Sequence, residues 1–193
     1  NPQIPARSVS DLIKLAKAKP GDMTYATGGN GTTSQLAGKL FTSTNSVSIT
    51  EVPYKGNVPA LSDVVAGNVS MSFATLQPAL PFIKDGKLIA LATLGSKRAP
   101  ALPNVPTMTE EGVPGLDLPS WLGFYGPARM PAPVVKRLHA ALAQVLAMPQ
   151  VREFYRSGGY EAGATTPEEF ARITRDSYDR WGVMVQQVGL TKQ

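Results

Sequence analysis

The chain has 193 residues, 42% of them hydrophobic and 17% charged, a globular composition rather than a disordered one. It carries no cysteine, so disulfides and thiolate metal sites are excluded, and no apolar run approaches the ~20 residues of a membrane-spanning helix. The formal net charge is +5, but the basic residues are scattered. Their densest group, Lys14, Lys17 and Lys19, has the spacing of a solvated helix face rather than a nucleic-acid patch. A mild positive balance is compatible with an anionic ligand.

Residues 8–19 predict a helix capped by Ser8 or Ser10, with Leu12, Ile13, Leu15 and Ala16 as its apolar stripe and Pro20-Gly21 as its stop. A strand over 23–27, a glycine loop and a helix over 32–44 follow. Then come a strand at 47–52, a helix at 57–66 ending at Gly67-Asn68, a strand at 69–73, a helix at 76–84 and an apolar strand at 88–94. Strands alternating with helices over short links predict parallel pairing with right-handed crossovers.

The pattern changes after Gly95. Residues 95–133 are proline-rich, with a candidate strand at 121–125. Helices are expected at 134–148, 149–157 and 167 to about 188; Thr166 is placed to cap the last, with Pro167 at its first position and Glu168 and Glu169 in its first turn. These amphipathic helices have no sheet of their own to cover. Either they pack on the first unit or their sheet lies outside this sequence.

The loop Thr27-Gly28-Gly29-Asn30-Gly31-Thr32-Thr33-Ser34 is the most informative feature. It follows a predicted strand and opens a predicted helix. Glycines allow tight turning and close approach, and the free N–H groups of a first helical turn favour an anion. The hydroxyls of Thr32, Thr33 and Ser34 add donors. A plain strand–helix turn would use the same residue types. No lysine follows the glycines, so this is not a Walker loop, and their spacing is not the dinucleotide fingerprint. Tyr54 and Lys55, in the turn Pro53-Tyr54-Lys55-Gly56, and Thr75, after Phe73-Ala74, stand at neighbouring strand ends. Tyr54 and Lys55 could offer a phenol and an ammonium to an anion, or simply form an exposed turn; Thr75 could serve only as a helix cap.

Catalytic constellations are not found. The sole histidine, His139, lies in a helical pattern among Leu138, Ala140 and Leu142, and no nucleophile elbow accompanies it. Glu110-Glu111 and Glu168-Glu169 are adjacent pairs, which diverge on a helix and make no acid–base dyad. No metal-ligand spacing occurs, and no cofactor is expected.

An ordered set of segments resembles the Bug family, the extracytoplasmic receptors of tripartite tricarboxylate transporters. It comprises Ser8-Val9-Ser10-Asp11-Leu12, the loop from Thr27 to Thr32, Val52-Pro53-Tyr54-Lys55-Gly56, Gly86-Lys87-Leu88-Ile89-Ala90-Leu91-Ala92, Lys97-Arg98-Ala99-Pro100-Ala101-Leu102-Pro103-Asn104-Val105-Pro106-Thr107, Pro131-Ala132-Pro133-Val134-Val135 and Thr166-Pro167-Glu168-Glu169-Phe170. The resemblance implies a type II periplasmic binding protein fold of α/β class, with a ligand in the cleft between two lobes. Residues 5–118 would be the complete second lobe and 119–193 the C-terminal part of the first, whose N-terminal part is absent here.

The expected function is capture of a small organic carboxylate in the periplasm, for delivery to membrane permease subunits, without catalysis and without nucleic acid. The resemblance assigns ligand binding to Gly28, Gly29, Asn30, Gly31, Thr32, Thr33, Ser34, Tyr54, Ala74 and Thr75. Family members often carry an Asp-Asn pair where this chain has Ala74-Thr75, which points away from a ligand with a positive amine. The alternative is an α/β enzyme that holds a phosphate or acyl substrate on the Gly28–Ser34 loop. Uncovered apolar residues in 119–193 are expected to drive self-association or to leave that half mobile; the candidates are Trp121, Phe124, Val134, Leu138, Leu142, Val145, Phe170, Ile173, Trp181 and Val185.

Overall fold

The computed structural model describes residues 1–118 and 120–190. Pro119, the first residue of the expected second unit, and residues 191–193 lie outside the described residues.

The first helix, α1 (Val9–Ala18), is capped by the Ser8 side chain, which accepts from the Asp11 N–H. Its N-terminus also receives the Glu111 carboxylate, which accepts from the Val9 N–H at 3.0 Å. An anion at that end complements the helix dipole. β1 (Thr24–Thr27), α2 (Thr33–Asn45), β2 (Thr50–Pro53), α3 (Asn57–Ala66), β3 (Met71–Ser72) and α4 (Leu76–Lys84) complete the predicted alternation. The strands form a parallel sheet of order β2-β1-β3. Pro53 ends β2, which lies at the sheet edge, where a missing N–H is tolerated.

Alternate residues of β1 point to opposite faces. Tyr25 joins the larger apolar cluster, with Val9, Leu12 and Ala16 of α1 and Leu36, Ala37, Leu40 and Phe41 of α2. Ala26 joins a second cluster, with Ala60 and Val64 of α3 and Val69. With layers on both sides β1 has no solvent-facing side, and Tyr25, Ala26 and Thr27 are all buried.

The strand expected at 88–94 does not form. Among the described residues, the one bridge in that stretch is an isolated parallel one between Thr93 and Thr107. Residues 88–94 are half-buried and, together with Met71 and Ser72 of β3, line a cavity instead of pairing with that strand. An apolar run becomes a strand only where a neighbour supplies hydrogen bonds, and here the neighbouring space is open. The 121–125 strand is likewise absent. Two of its aromatic residues lie against the last helix instead, Trp121 meeting Phe170 edge-on and Tyr125 at a tilt, with centroids 5.4 and 5.1 Å away.

α5 (Ala132–Ala147), α6 (Pro149–Ser157) and α7 (Pro167–Gln187) contain no fully buried residue. Val134, Leu138 and Val145, with Phe124 and Trp121, are exposed; Leu142, Phe170 and Ile173 are half-buried. The C-terminal end of α7 and the residues just after it behave differently. Trp181, Met184, Val185, Val188 and Leu190 pack against the larger cluster of the first unit. Arg180 pairs with Asp117 at 3.4 Å beside them. No helix among the described residues is long and apolar enough to cross a membrane.

Candidate functional site

The glycine loop connects β1 to α2 at the C-terminal edge of the sheet, the position where open α/β sheets bind ligands. Its backbone requires glycine for two different reasons. Gly29 has φ +106, and a Cβ there would lie 2.8 Å from the Tyr54 carbonyl oxygen. Gly31 has φ +74, but a Cβ there would meet no atom within 4 Å. The requirement at Gly31 is therefore conformational, not one of space. Gly28 packs against α3, where a Cβ would come 2.7 Å from Asn57 Oδ1.

Most of the loop's own donors are used internally. The Gly28 N–H donates to Ser34 Oγ at 2.9 Å, Gly29 N–H to Thr27 Oγ1 at 3.3 Å, Gly31 N–H to Gln35 Oε1 at 2.9 Å and Thr32 N–H to the Gly29 carbonyl at 3.4 Å. Thr32 is the N-cap, its hydroxyl oxygen accepting from the Gln35 N–H while it donates to the Gly29 carbonyl at 2.7 Å. Three N–H groups have no partner among the described residues: that of Asn30, on the exposed turn away from the cavity, and the first two of α2, those of Thr33 and Ser34. A pair of free N–H groups at the positive end of a 13-residue helix is an anion-binding arrangement.

These groups border a cavity of about 670 Å³. Gly31, Thr32, Thr33 and Ser34 line it, as do Asn57, Phe73, Ala74 and Thr75. Thr75 is the N-cap of α4, but its side chain makes no capping bond, so the hydroxyl is not committed to the helix. The only charged side chain on the lining, among the described residues, is Lys97; no carboxylate faces the space. The structure thus brings together Gly31 to Ser34 with Ala74 and Thr75. Gly28, Gly29 and Asn30 form the loop's outer turn and do not line the cavity.

Tyr54 does not line the cavity either. Its hydroxyl donates to Asp63 Oδ2 of α3 at 2.6 Å, and this bond, with smaller contributions from burial and the Asp63 charge, raises its pKa above the usual tyrosine value. Lys55 is exposed. His139 is half-buried on α5, with Nε2 2.8 Å from the Thr165 carbonyl.

Sequence reasoning missed the polar layer beneath the loop. Glu51 of β2 accepts from Gln35 Nε2 at 2.9 Å, Thr27 Oγ1 at 3.3 Å and Tyr25 Oη at 3.4 Å, and pairs with Lys39 Nζ at 3.3 Å. Burial first, and then the Glu51 charge, push the Tyr25 phenol well above its ordinary pKa. One signal was available: a glutamine at the third helical position, where such side chains reach back to orphan N–H groups. Its partner Glu51 lies sixteen residues on and no local pattern marks it.

The comparisons with known proteins bear on this site. A profile described as tripartite tricarboxylate transporter family receptor matches residues 1–190. A protein encoded in the tcbD-tcbE intergenic region of Pseudomonas sp. strain P51 is 33% identical over 95% of this chain and 55% of its own length. BugT of Bordetella pertussis is 30% identical over 98% of this chain and 58% of its own length. A Rhodopseudomonas palustris protein solved with adipate superposes with a TM-score of 0.89 at 32% identity, covering 96% of this chain and 62% of that one. MatC from the same species, solved with bound malate, gives 0.81 at 29% identity over 95% of this chain and 63% of that one. The chain therefore spans between half and two thirds of the length of these relatives. With the receptor profile matched along almost all of its length and the fold shared with these proteins, the chain belongs to the tripartite tricarboxylate transporter receptor family.

Proposed function

We propose that this chain supplies one wall of a ligand cleft in an extracytoplasmic solute-binding receptor, and that it captures a small dicarboxylate for membrane permease subunits. The observation that carries the reading is the pair of unpartnered N–H groups of Thr33 and Ser34 opening on a cavity with no carboxylate in its lining. A ligand carboxylate accepts from those N–H groups and from the free Thr75 hydroxyl, while the apolar wall around Phe73 and Ala74 takes its carbon chain. The adipate and malate held by two similar proteins are both dicarboxylates. The family consists of receptors, and this site offers anion donors without a nucleophile–base pair, so capture without turnover is the preferred reading over phosphate or acyl chemistry on the same loop. The setting proposed is the periplasm.

Thr33→Pro tests the site with little structural cost. Proline is favoured at the first helical position, and Thr32 already has the extended backbone, φ −85 and ψ 155, that a following proline demands. The substitution deletes one N–H donor and leaves the helix intact. In calorimetric titration with adipate or malate, Thr33→Pro is expected to weaken binding at least tenfold with an unchanged unliganded Tm, while Thr33→Val, which keeps the N–H, loses far less. Equal affinity in Thr33→Pro and the parent would remove the helix terminus from the site.

A further inference from the structure

We propose that Gln35 and Glu51 are the positioning residues of this carboxylate site: Glu51 fixes which way the Gln35 amide faces, and that amide locks the loop in the conformation that leaves the Thr33 and Ser34 N–H groups free. The inference rests on the reading of the cleft given above.

A carboxylate only accepts hydrogen bonds, whereas a primary amide both donates and accepts. Glu51 Oε1 lies 2.9 Å from the Gln35 side chain, so Gln35 must turn its NH₂ toward Glu51. That leaves its carbonyl oxygen facing the loop, where it accepts from the Gly31 N–H at 2.9 Å. The same NH₂ donates to Asn30 Oδ1 at 3.1 Å. One buried side chain, 6% exposed, therefore grips the loop at two consecutive residues, Asn30 and Gly31.

Glu51 cannot swing away. Thr27, Tyr25 and Lys39 hold it from three other directions. The Lys39 ammonium also balances the carboxylate, so a negative charge beneath the loop does not repel an anion above it. With the Gly31 N–H engaged from below and the Thr32 hydroxyl committed to the Gly29 carbonyl, the unpartnered N–H groups on the cavity side of the loop are those of Thr33 and Ser34. Without the amide, Gly31 is released. Its positive φ is then one option among several for a glycine, and the entropy of fixing the loop falls on the ligand.

The test uses Gln35→Ala, Gln35→Glu and the swap Gln35→Glu with Glu51→Gln, measured by amide exchange at Gly31 without ligand and by adipate and malate affinity. Gln35→Glu sets two carboxylates against each other. In the swap, the amide introduced on β2 donates to the carboxylate introduced on α2. The other oxygen of that carboxylate still accepts from the Gly31 N–H, while the Asn30 amide turns over to donate. Both single variants are expected to speed Gly31 exchange at least tenfold and to weaken binding about as much, and the swap to return both to within about threefold of the parent. A merely structural role would not produce rescue by reversed polarity. Unchanged Gly31 exchange in Gln35→Ala, or a folded swap no better than Gln35→Glu, overturns the proposal. If neither acid binds the parent protein, the reading of the cleft fails, while the ligand-free exchange measurement still decides the role of Gln35.

Discussion

The ring of Tyr25 lies directly on the bare α-carbon of Gly38, so that a Cβ at Gly38 would collide with the ring. Gly38 stands in the middle of α2, where glycine is about 1 kcal/mol worse than alanine for the helix. The close approach explains its presence. It lets α2 sit down on β1 and aims the helix's first turn at the cavity.

Gly38→Ala is therefore expected to destabilise the protein despite its better helix propensity. Overpacking against a ring 2% exposed costs about 1–3 kcal/mol, which exceeds the propensity gain. A urea midpoint lowered in Gly38→Ala and partly restored by adding Tyr25→Leu would show that the collision, not the helix, is responsible. A raised midpoint in the single variant would contradict it.

Glycine positions in the binding loop should separate by cause. Gly31→Val places a β-branched residue at φ +74 with open space around it, so the expected cost is the strain of a left-handed conformation, about 1–2 kcal/mol, with the loop shifted and ligand affinity lost. Gly29→Val adds a collision with the Tyr54 carbonyl to the same kind of strain and should lower Tm further. Thermal melts of the two variants side by side measure the difference; equal melting points would show that the contact is relieved easily.

Alkaline pH should unfold the protein through Tyr25. Its folded pKa is raised by burial and by Glu51, so the unfolded chain releases the phenolic proton first. The stability this group contributes is fully present below pH 10, the ordinary value, and falls as pH rises beyond it. Ultraviolet absorbance of the phenolate should show one tyrosine titrating only with the unfolding transition, and Tyr25→Phe should flatten the slope of stability above pH 10. A Tyr25 that ionises normally in the folded protein would rule this out.

The helical half should respond unevenly to truncation of its apolar side chains. Trp181→Ala removes a contact with the core of the first unit and is expected to cost about 1–3 kcal/mol, somewhat under a full core truncation because Trp181 is only half-buried. Tyr178→Ala, at a side chain 73% exposed, should change stability by less than about 0.5 kcal/mol. The exposed set of Val134, Leu138, Val145 and Phe154 should promote association, read by light scattering across a dilution series. A concentration-independent monomer would argue that this face does not drive self-association.

The sequence by itself determined the alternation of α1, β1, α2, β2, α3, β3 and α4, because local signals decide those elements: Ser8 as a cap, Gly67 as a stop, and short runs between turn residues. It also marked the loop from Gly28 to Ser34, since positive-φ glycines and a first helical turn leave a local signature. Tertiary structure decided the rest. Residues 88–94 have the composition of a strand, but strand formation depends on a neighbour the run does not encode, and among the described residues only its end finds one, Thr93 at Thr107 and Leu94 at Leu118. The pairing of Gln35 with Glu51 joins side chains from α2 and β2 once the sheet is formed, and that pairing takes the Gly31 N–H away from any ligand. Tyr54, at a strand end like the others, turns to Asp63 because α3 packs beside it. Which N–H groups stay free depends on these non-local partners, and no residue reports its partners through its position in the chain.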